Sequence, residues 1–316
     1  MMELLPKPTS YLYTYASREE EASLCQLELR SLFNQSPGRS YFISDLKMAP
    51  SRSPFIRERI DILFEGTTLE DIIGQINGLP KIESSYRVVY VKNDELSDPP
   101  GLQARRAIER EVGVQIKGEP DLHNPKLLFG IMNIHNGFVF GFYVKSEAVW
   151  LQHQQKPYMY STALSTRVAR AVANIAVPIP EGTKAIDPCC GIGTVLIEAL
   201  SMGIDIIGGD KNPLVTSKAR VNIAHFGLEG KVLLQDIRNV MGHYDVAIID
   251  LPYNLCSVIT PKEQLEMFQS ARKFAQKLVV VTIEPVDSII LEAGFTITDR
   301  CEVSKGSFKR EVIVCK

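Results

Sequence analysis

The stretch Lys184–Glu198, KAIDPCCGIGTVLIE, constrains the fold of this 316-residue chain more than any other. It begins as a short apolar strand, passes Asp187 and Pro188, turns through Gly191 and Gly193, and continues as an apolar-periodic helix. Glycines at a strand-to-helix turn allow a tight bend and let a ligand approach the bare backbone. The unpaired N–H groups at the helix start can bind a polar ligand. The stretch therefore predicts a ligand site at one edge of an α/β sheet.

Strand-like and helical patterns alternate through the C-terminal half of the chain. Strands are predicted at 185–187, 206–210, 232–234, 245–250, 278–283, 295–302 and 311–315. Because helical patterns separate most of the first six, we expect a doubly wound, mostly parallel sheet. The last two strands are joined by residues 304–308, which is too short for a crossover helix. The seventh strand should therefore return antiparallel.

The N-terminal half lacks this alternation and is interpreted as two smaller α+β units. In the second unit, an arginine-bearing helix is predicted at 101–112 and a hairpin turns at Asn136 and Gly137. Asn-Gly between two alternating apolar runs is the strongest short-range hairpin signal. The predicted domains are 1–80, an α+β ferredoxin-like domain, 81–152, and the α/β domain 153–316.

Composition excludes several classes of protein. The net charge is −2, and residues 1–178 hold 20 Lys+Arg and 20 Asp+Glu, which argues against a purely electrostatic nucleic-acid binder. No apolar run reaches the ~18 residues that a membrane span needs, and the start does not resemble a signal peptide. The six cysteines show no zinc spacing. We expect a cytoplasmic chain with reduced thiols, no metal and no membrane association.

Four acidic residues follow successive strands of the predicted sheet: Asp187, Asp210, Asp236 and Asp250. An open α/β sheet binds ligands at the carboxyl ends of its strands. Asp210 is placed to hydrogen-bond ribose hydroxyls, and Asp236 is suited to the exocyclic amine of adenine. Each acid alone could simply cap a helix, but four in register indicate a nucleotide-like ligand.

The glycine pattern excludes two common nucleotide-binding families. Leu196 stands where a dehydrogenase has its third glycine, and no Gly-Lys-Ser/Thr sequence of a P-loop kinase is present. The set resembles instead the class I S-adenosylmethionine-dependent methyltransferases. That resemblance implies a Rossmann-like fold with a seven-stranded, mostly parallel sheet, and S-adenosylmethionine as cofactor with S-adenosylhomocysteine as product. By the same resemblance and strand positions, the cofactor-binding residues are Ser165, Thr166, Asp187, Pro188, Cys189, Gly191, Gly193, Thr194, Asp210, Lys211, Asp236, Ile237 and Asp250.

The tetrad Asp250-Leu251-Pro252-Tyr253 indicates an amine as methyl acceptor. The Asp250 carboxylate and the Leu251 carbonyl can accept hydrogen bonds from an exocyclic NH₂, which leaves its lone pair facing the methyl group. Pro252 holds Leu251 extended. Tyr253 offers the base a stacking surface. These four are the predicted catalytic residues, and catalysis is expected to be mostly alignment.

The N-terminal half resembles the THUMP module, which binds RNA in tRNA-modifying enzymes. The resemblance rests on the arginine-bearing helix, the segment DLHNPK, the hairpin and the exit QQKPYMY at 154–160. It implies a THUMP RNA-binding region at 81–152 within an α+β ferredoxin-like/THUMP half, and tRNA as partner. The expected RNA contacts are Arg105, Arg106, Arg110, Lys156, Tyr158 and Asn254.

Together the two halves resemble the THUMP-domain tRNA guanine-N2 methyltransferases, which implies methylation of the N2 amine of a tRNA guanosine. That group usually shows Asp-Pro-Pro-Tyr, whereas this chain has Leu251 at the second position. Adenine-N6 dimethyltransferases of ribosomal RNA show Asn-Leu-Pro-Tyr, so adenine-N6 methylation of RNA or DNA is an alternative. A non-catalytic RNA-binding partner subunit is another. A protein partner or a homodimer is left open.

Overall fold

The computed structural model describes residues 5–38, 40–161, 163–251, 259–305 and 308–316. The α-helices in chain order are α1 (Ala22–Phe33), α2 (Leu69–Asn77), α3 (Leu102–Gly113), α4 (Thr166–Ala176), α5 (Thr194–Ser201), α6 (Pro213–His225), α7 (Pro261–Phe274) and α8 (Asp287–Glu292). The chain divides into two compact units. Unit 1 comprises Met1–Ala16 and Pro37–Glu147, and unit 2 comprises Ser17–Ser36 and Ala148–Lys316.

Unit 1 is built on one six-stranded sheet. Its strands are β1 (Tyr11–Tyr15), β2 (Tyr41–Ser44), β3 (Ile56–Gly66), β4 (Tyr86–Tyr90), β5 (Leu127–Ile134) and β6 (Gly137–Lys145). Their order is β2-β1-β3-β6-β5-β4, with β4 and β5 parallel and the other neighbours antiparallel. The predicted hairpin is confirmed, but its turn is His135-Asn136 instead of Asn136-Gly137, since β5 and β6 pair up to Ile134 and Gly137. The apolar residues of α2, α3 and the sheet form one buried cluster.

The predicted boundary at residue 80 falls inside this sheet. Strand β3, which precedes residue 80, pairs with β6, which follows it, from Glu58 to Gly66. The two expected N-terminal domains are therefore one unit. Backbone pairing between strands so distant in sequence leaves no local signal, so the sequence alone could not show that the two parts form one sheet.

Helix α1 belongs to unit 2, although it lies among the first residues of the chain. It packs against α4 and against strand β12 (Ile297–Lys305). The buried carboxylate of Glu28 accepts a 2.7 Å hydrogen bond from the Asn174 amide, and Arg30 pairs with Asp299 at 2.9 Å. Sequence periodicity can indicate that such a helix has an apolar face, but it does not say what that face packs against.

Unit 2 contains the predicted seven-stranded sheet. Its strands are β7 (Lys184–Asp187), β8 (Asp205–Asp210), β9 (Lys231–Leu234), β10 (Tyr244–Asp250), β11 (Ala275–Thr282), β12 and β13 (Phe308–Cys315). The order is β12-β13-β11-β10-β7-β8-β9. Strands β7 to β11 are parallel, and β13 runs antiparallel between β11 and β12. The expected Rossmann-like sheet with one reversed strand is thus confirmed.

This sheet has the strand reversal that creates a ligand crevice. From the central β7 the chain proceeds outward through β8 and β9, then returns to build β10 and β11 on the other side. The carboxyl ends of β7, β8 and β10 therefore flank the point at which a doubly wound sheet binds ligands. In the described part of the chain no helix combines the length and apolarity needed to traverse a lipid bilayer.

Candidate active site

The loop after β7 is bent by two glycines in left-handed conformations. Gly191 has φ 53° and Gly193 has φ 83°, and the Gly193 N–H donates to the Cys190 carbonyl at 2.8 Å. A Cβ at Gly193 would touch Ala219 on α6 at 3.3 Å, so the second glycine serves packing. A Cβ at Gly191 would meet nothing within 4 Å among the described atoms. Gly191 therefore opens the space that a ligand can occupy.

A glycine that the sequence did not single out replaces the missing third glycine of the dinucleotide motif. Gly208 lies in β8, and a Cβ there would overlap the Leu196 side chain of α5 and stand 3.0 Å from the Cys190 sulfur. Helix α5 thus approaches the sheet closely through a glycine of the strand instead of one of the helix. The paired Gly208-Gly209 in a predicted strand could have suggested such a close approach.

Asp187 and Asp210 hold the glycine loop from two sides. Asp187 is buried and accepts a hydrogen bond from the Cys189 N–H at 3.2 Å. Asp210 accepts one from the Gly191 N–H at 3.1 Å and another from the Asn212 N–H at 2.9 Å. Burial raises the pKa of both carboxyls. Two predicted site residues at the ends of neighbouring strands therefore meet at the loop, and the Asp210 oxygens retain acceptor capacity for hydroxyl groups.

Asp236 has a local partner that its spacing did not predict. Its carboxylate accepts hydrogen bonds from the Arg238 guanidinium at 2.9 and 2.8 Å and from the Arg238 N–H at 2.9 Å. These bonds lower the pKa of the Asp236 carboxyl and cap the short 3₁₀ helix Ile237–Asn239. Ile237 itself packs in the core of the unit. An amine hydrogen-bonded to Asp236 would share that carboxylate with Arg238.

The end of β10 presents a buried carboxyl oxygen for which the described residues offer no hydrogen-bond partner. Within the described ranges, Asp250 Oδ1 is buried and has no hydrogen-bond partner. Burial raises the pKa of Asp250 to about 7, and the guanidinium of Arg310 acts in the opposite direction. An unsatisfied buried acceptor costs free energy unless a ligand satisfies it.

The backbone beside that oxygen is fixed. The Leu251 N–H donates to the Val281 carbonyl at 2.9 Å, and the Leu251 side chain is buried in the core. The structure thus brings Asp250 and a rigid Leu251 peptide to the sheet edge that holds the glycine loop. The other two predicted catalytic residues, Pro252 and Tyr253, lie outside the described residues, as does Asn254.

Two predicted cofactor residues have buried hydroxyls without a described partner. Thr166, in the first turn of α4, and Thr194, in the first turn of α5, are both buried, and neither Oγ1 makes a hydrogen bond to a described atom. The neighbouring Ser165 is exposed and accepts from the Val168 N–H at 3.3 Å, which caps α4. Lys211 is exposed next to Asp210. Helix α4 thus begins at Thr166, directly after Ser165.

Lys156, one of the predicted RNA contacts, is buried, and this corrects its predicted role. It is only 8% exposed, and its burial lowers the pKa of its ammonium while Glu198 opposes that shift. A buried ammonium does not present itself to phosphates. The sequence shows lysine beside proline and tyrosine, but burial is a tertiary property. Arg106 and Arg110 of α3 and Tyr158 are exposed, and Arg105 is half-buried.

The cysteines of the loop are unsuited to a nucleophilic role. Cys189 and Cys190 are free thiols, and burial raises the pKa of both. At neutral pH they are therefore protonated, whereas a nucleophile needs the thiolate. Among the residues that the structure describes, no cluster of His, Cys, Asp and Glu could hold a metal ion.

Comparison with known proteins assigns the chemistry of this domain. Residues 153–282 match the family model described as "UPF0020: RMKL-like, methyltransferase domain". This segment is similar to the methyltransferase domains that the model describes. The matched residues span the glycine loop, Asp210, Asp236 and Asp250, so the predicted methyltransferase class is confirmed on the domain that carries the site.

Curated relatives of the methyltransferase domain act on RNA, according to their names. The chain is 28% identical over 172 residues to "tRNA (guanine(10)-N2)-dimethyltransferase" of Methanothermobacter thermautotrophicus, covering 51% of each chain. It is 27% identical over 160 residues to "U6 snRNA (guanine-N(2))-methyltransferase THUMPD2" of Mus musculus, covering 48% of this chain and 29% of the relative. The chain spans about half the length, or less, of the curated relatives it matches. The predicted relationship to guanine-N2 methyltransferases is confirmed.

A solved structure also aligns with nearly the whole chain. The crystal structure of TrmN from Thermus thermophilus aligns with 97% of this chain and 99% of its own, at 17% identity and a TM-score of 0.48.

Proposed function

We propose that this chain transfers a methyl group from S-adenosylmethionine to the exocyclic N2 amine of a guanosine in tRNA. The observation that carries the proposal is the buried carboxyl oxygen of Asp250 at the carboxyl end of β10, which has no hydrogen-bond partner among the described residues and lies beside the fixed Leu251 N–H. An NH₂ group is a donor that fits an oxygen of this kind. The methyltransferase domain and the names of the guanine-N2 relatives support the same reaction.

The residues present fit the proposed cofactor. Gly191 leaves open space at the backbone, Asp210 offers acceptors for ribose hydroxyls, and the buried hydroxyls of Thr166 and Thr194 lack partners among described atoms. These residues would hold S-adenosylmethionine, with Asp236 towards the adenine. When bound, it supplies an electrophilic methyl group on a positively charged sulfur.

The protein's own residues orient the acceptor amine. The ionised Asp250 carboxylate and the Leu251 carbonyl each accept one N–H of the base amine, so that the nitrogen lone pair is left for the methyl group. The hydrogen bond from the Leu251 N–H to the Val281 carbonyl fixes the Asp250–Leu251 peptide, which directly precedes the Leu251 carbonyl. Orientation of this kind can supply ~7–11 kcal/mol of a barrier. Because the methyl donor is already activated, the site needs an orienting acceptor and no strong base.

Unit 1 is proposed to hold the RNA. Arg106 and Arg110 lie exposed on α3, where they can contact phosphates, which position a nucleic acid without reading its sequence. Leu251 favours a second candidate, adenine-N6 methylation, since leucine occupies that position in the Asn-Leu-Pro-Tyr enzymes named above. The cytoplasmic location stays a prediction.

Two measurements on the full chain test the proposal. Calorimetry should detect S-adenosylmethionine binding, and a donor with a radioactive methyl group should label bulk tRNA. The Asp250→Ala variant should bind the donor as the wild type does and transfer no label. Undetectable donor binding would support the non-catalytic subunit, and full transfer by Asp250→Ala would reject the role of Asp250.

A further inference from the structure

An exposed aromatic segment lies against helix α6, next to the glycine loop. Tyr158 and Tyr160 are each 42% exposed, and Met159 between them is 67% exposed. The Lys218 ammonium of α6 lies 5.6 Å from the Tyr158 ring centroid and 4.8 Å from that of Tyr160, and it donates to the Tyr160 hydroxyl at 2.8 Å. Two open aromatic side chains therefore share one cation. We call Tyr158, Tyr160 and Lys218 the tyrosine platform.

A buried amide fixes the tyrosine platform to the loop of the active site. Asn222 of α6 is fully buried, and its Oδ1 accepts from the Tyr158 N–H at 2.9 Å. Its Nδ2 donates to the Tyr158 carbonyl at 3.0 Å and to the Ile192 carbonyl at 3.0 Å. Ile192 lies between Gly191 and Gly193. One side chain thus binds the tyrosine segment and the glycine loop together, which places the platform beside the proposed methyl donor.

The charge around the platform favours a polyanion. The sequence has no acidic residue between Glu147 and Glu181, and none between Asp210 and Glu229. Both elements that build the platform lie within these stretches. The acid below them, Glu198, is fully buried and is bound to His153 and Arg170 at 2.8 Å each. No acidic side chain on these two stretches can therefore repel a phosphate that approaches Lys218.

We infer that the tyrosine platform binds an unpaired nucleotide of the substrate RNA, with its base stacked on a tyrosine ring and its phosphate near Lys218. Stacked aromatics combined with a cation are the means by which proteins bind single-stranded nucleic acid without reading its sequence. The inference rests on the proposed RNA methylation. It adds a site for a nucleotide that flanks the modified base, on residues of the methyltransferase domain itself.

Binding of a fluorescein-labelled, ten-nucleotide oligouridylate, measured by anisotropy without any methyl donor, tests the inference. Tyr158→Ala and Tyr160→Ala should each weaken binding at least about fivefold, the lower limit for losing one stacked base. The Phe variants keep the rings and should bind within about twofold of the wild type. Lys218→Met should reduce the slope of log binding affinity against log salt concentration by about the amount that one phosphate contact contributes. The exposed Leu291 of α8 provides the control, Leu291→Ala, which should change nothing.

Ultraviolet cross-linking supplies a second measurement on the wild-type chain. The cross-linked peptide should contain residues 158–160. Unchanged oligouridylate binding in both Ala variants, or cross-links confined to other peptides, would overturn the inference.

The same variants also separate this inference from two other outcomes. Leu214 and Val221 lie exposed on the Lys218 face of α6, and such a face could pair with a second copy of the chain. Light scattering that shows self-association lost in the Tyr variants, with RNA binding unchanged, would overturn the inference in favour of a dimer contact. If the wild type binds oligouridylate through the tyrosines but methylates no RNA, the platform stands and the proposed function fails.

Discussion

Asp250 combines three properties that matter for transfer to an amine: a buried oxygen, no described partner for that oxygen, and a pKa raised to about 7 by burial. In the proposed reaction only the ionised carboxylate accepts the amine N–H. The protonated form carries a hydrogen of its own on one oxygen. The ionisation state of Asp250 in the free protein therefore determines what fraction of the protein molecules can orient the amine near neutral pH.

The pH dependence of transfer follows from the direction of this shift. As pH falls through about 7, Asp250 becomes protonated, so kcat/KM for tRNA should decrease about tenfold per pH unit below that value. If Asp250 had the pKa of an ordinary aspartate, kcat/KM would not change with pH until the pH fell to about 4. The measurement is initial rates at low tRNA concentration between pH 5.5 and 8.5, with donor binding followed separately. A flat profile over this range would contradict the assigned role, and Asp250→Asn should show low activity without the decline.

Two glycines flank β7, and comparing their alanine variants distinguishes the effect of backbone strain from the effect of ligand contact. Gly191 (φ 53°) follows the strand and Gly182 (φ 75°) precedes it, and a Cβ at either would meet no described atom within 4 Å. Each Ala substitution should therefore cost about 1 kcal/mol of folding free energy, since both force a left-handed conformation. Only Gly191→Ala should also weaken S-adenosylmethionine binding, by at least about tenfold, because its methyl group occupies the ligand space. Equal donor affinity in the two variants, measured by calorimetry, would show that the loop does not contact the donor.

Helix α5, which begins at the glycine loop, is anchored by a buried ionic network. Glu198 accepts hydrogen bonds from Arg170 of α4 and lies 2.8 Å from His153 of the 3₁₀ helix Val149–Gln155. Arg170 also donates to Ser201 at 2.9 Å and lies over the Trp150 ring. The network joins α4, α5 and this 3₁₀ helix.

Removing the central carboxylate should therefore affect stability most. Glu198→Ala leaves the buried Arg170 guanidinium without its counter-charge and should destabilise the chain by about 3–5 kcal/mol. Urea denaturation measures this, and Glu198→Gln gives a milder variant if the alanine protein does not fold. The matched control is Glu302→Ala, which breaks an exposed pair with Lys309 and should change stability by at most about 0.5 kcal/mol. A similar small effect at Glu198 would show that the network is not what fixes α5.

The elements near the site were predictable because their signals are local. A strand, two glycines and an apolar-periodic helix defined β7 and α5, and acids after β8, β9 and β10 marked the sheet edge. Two features could not be predicted this way. Gly208 makes room for Leu196 across a strand–helix contact, and Lys156 is buried against Glu198. Each feature depends on a partner more than ten positions away in the sequence. A pattern of neighbouring residues does not contain that information.

At the scale of the whole molecule, the chain forms two units where the sequence predicted three. The six-stranded sheet of unit 1 spans the predicted boundary, and Ser17–Ser36 crosses over to pack with unit 2. The alternation of strands and helices correctly predicted the seven-stranded sheet of unit 2, including its reversed last strand. The pairing of β3 with β6 and the docking of α1 are long-range choices that sequence periodicity does not encode.

The features that bear on function are distributed over both units. Unit 2 contains residues 153–282, which match the methyltransferase-domain model, while exposed arginines lie on α3 of unit 1. The relatives share guanine-N2 in their names but differ in the RNA, which is tRNA in one case and U6 snRNA in another. Methylation of the guanine N2 amine is therefore the more general part of the proposal, and tRNA as the substrate is the more specific part.

The most direct test identifies the nucleoside that receives the methyl group. The full chain is incubated with bulk tRNA and S-adenosylmethionine carrying a deuterated methyl group, and the digested nucleosides are separated and weighed by mass spectrometry. We expect the deuterated label in N2-methylated guanosine with the wild type, and no label with Asp250→Ala. Label in N6-methyladenosine, or no labelled nucleoside although the donor binds, would contradict it.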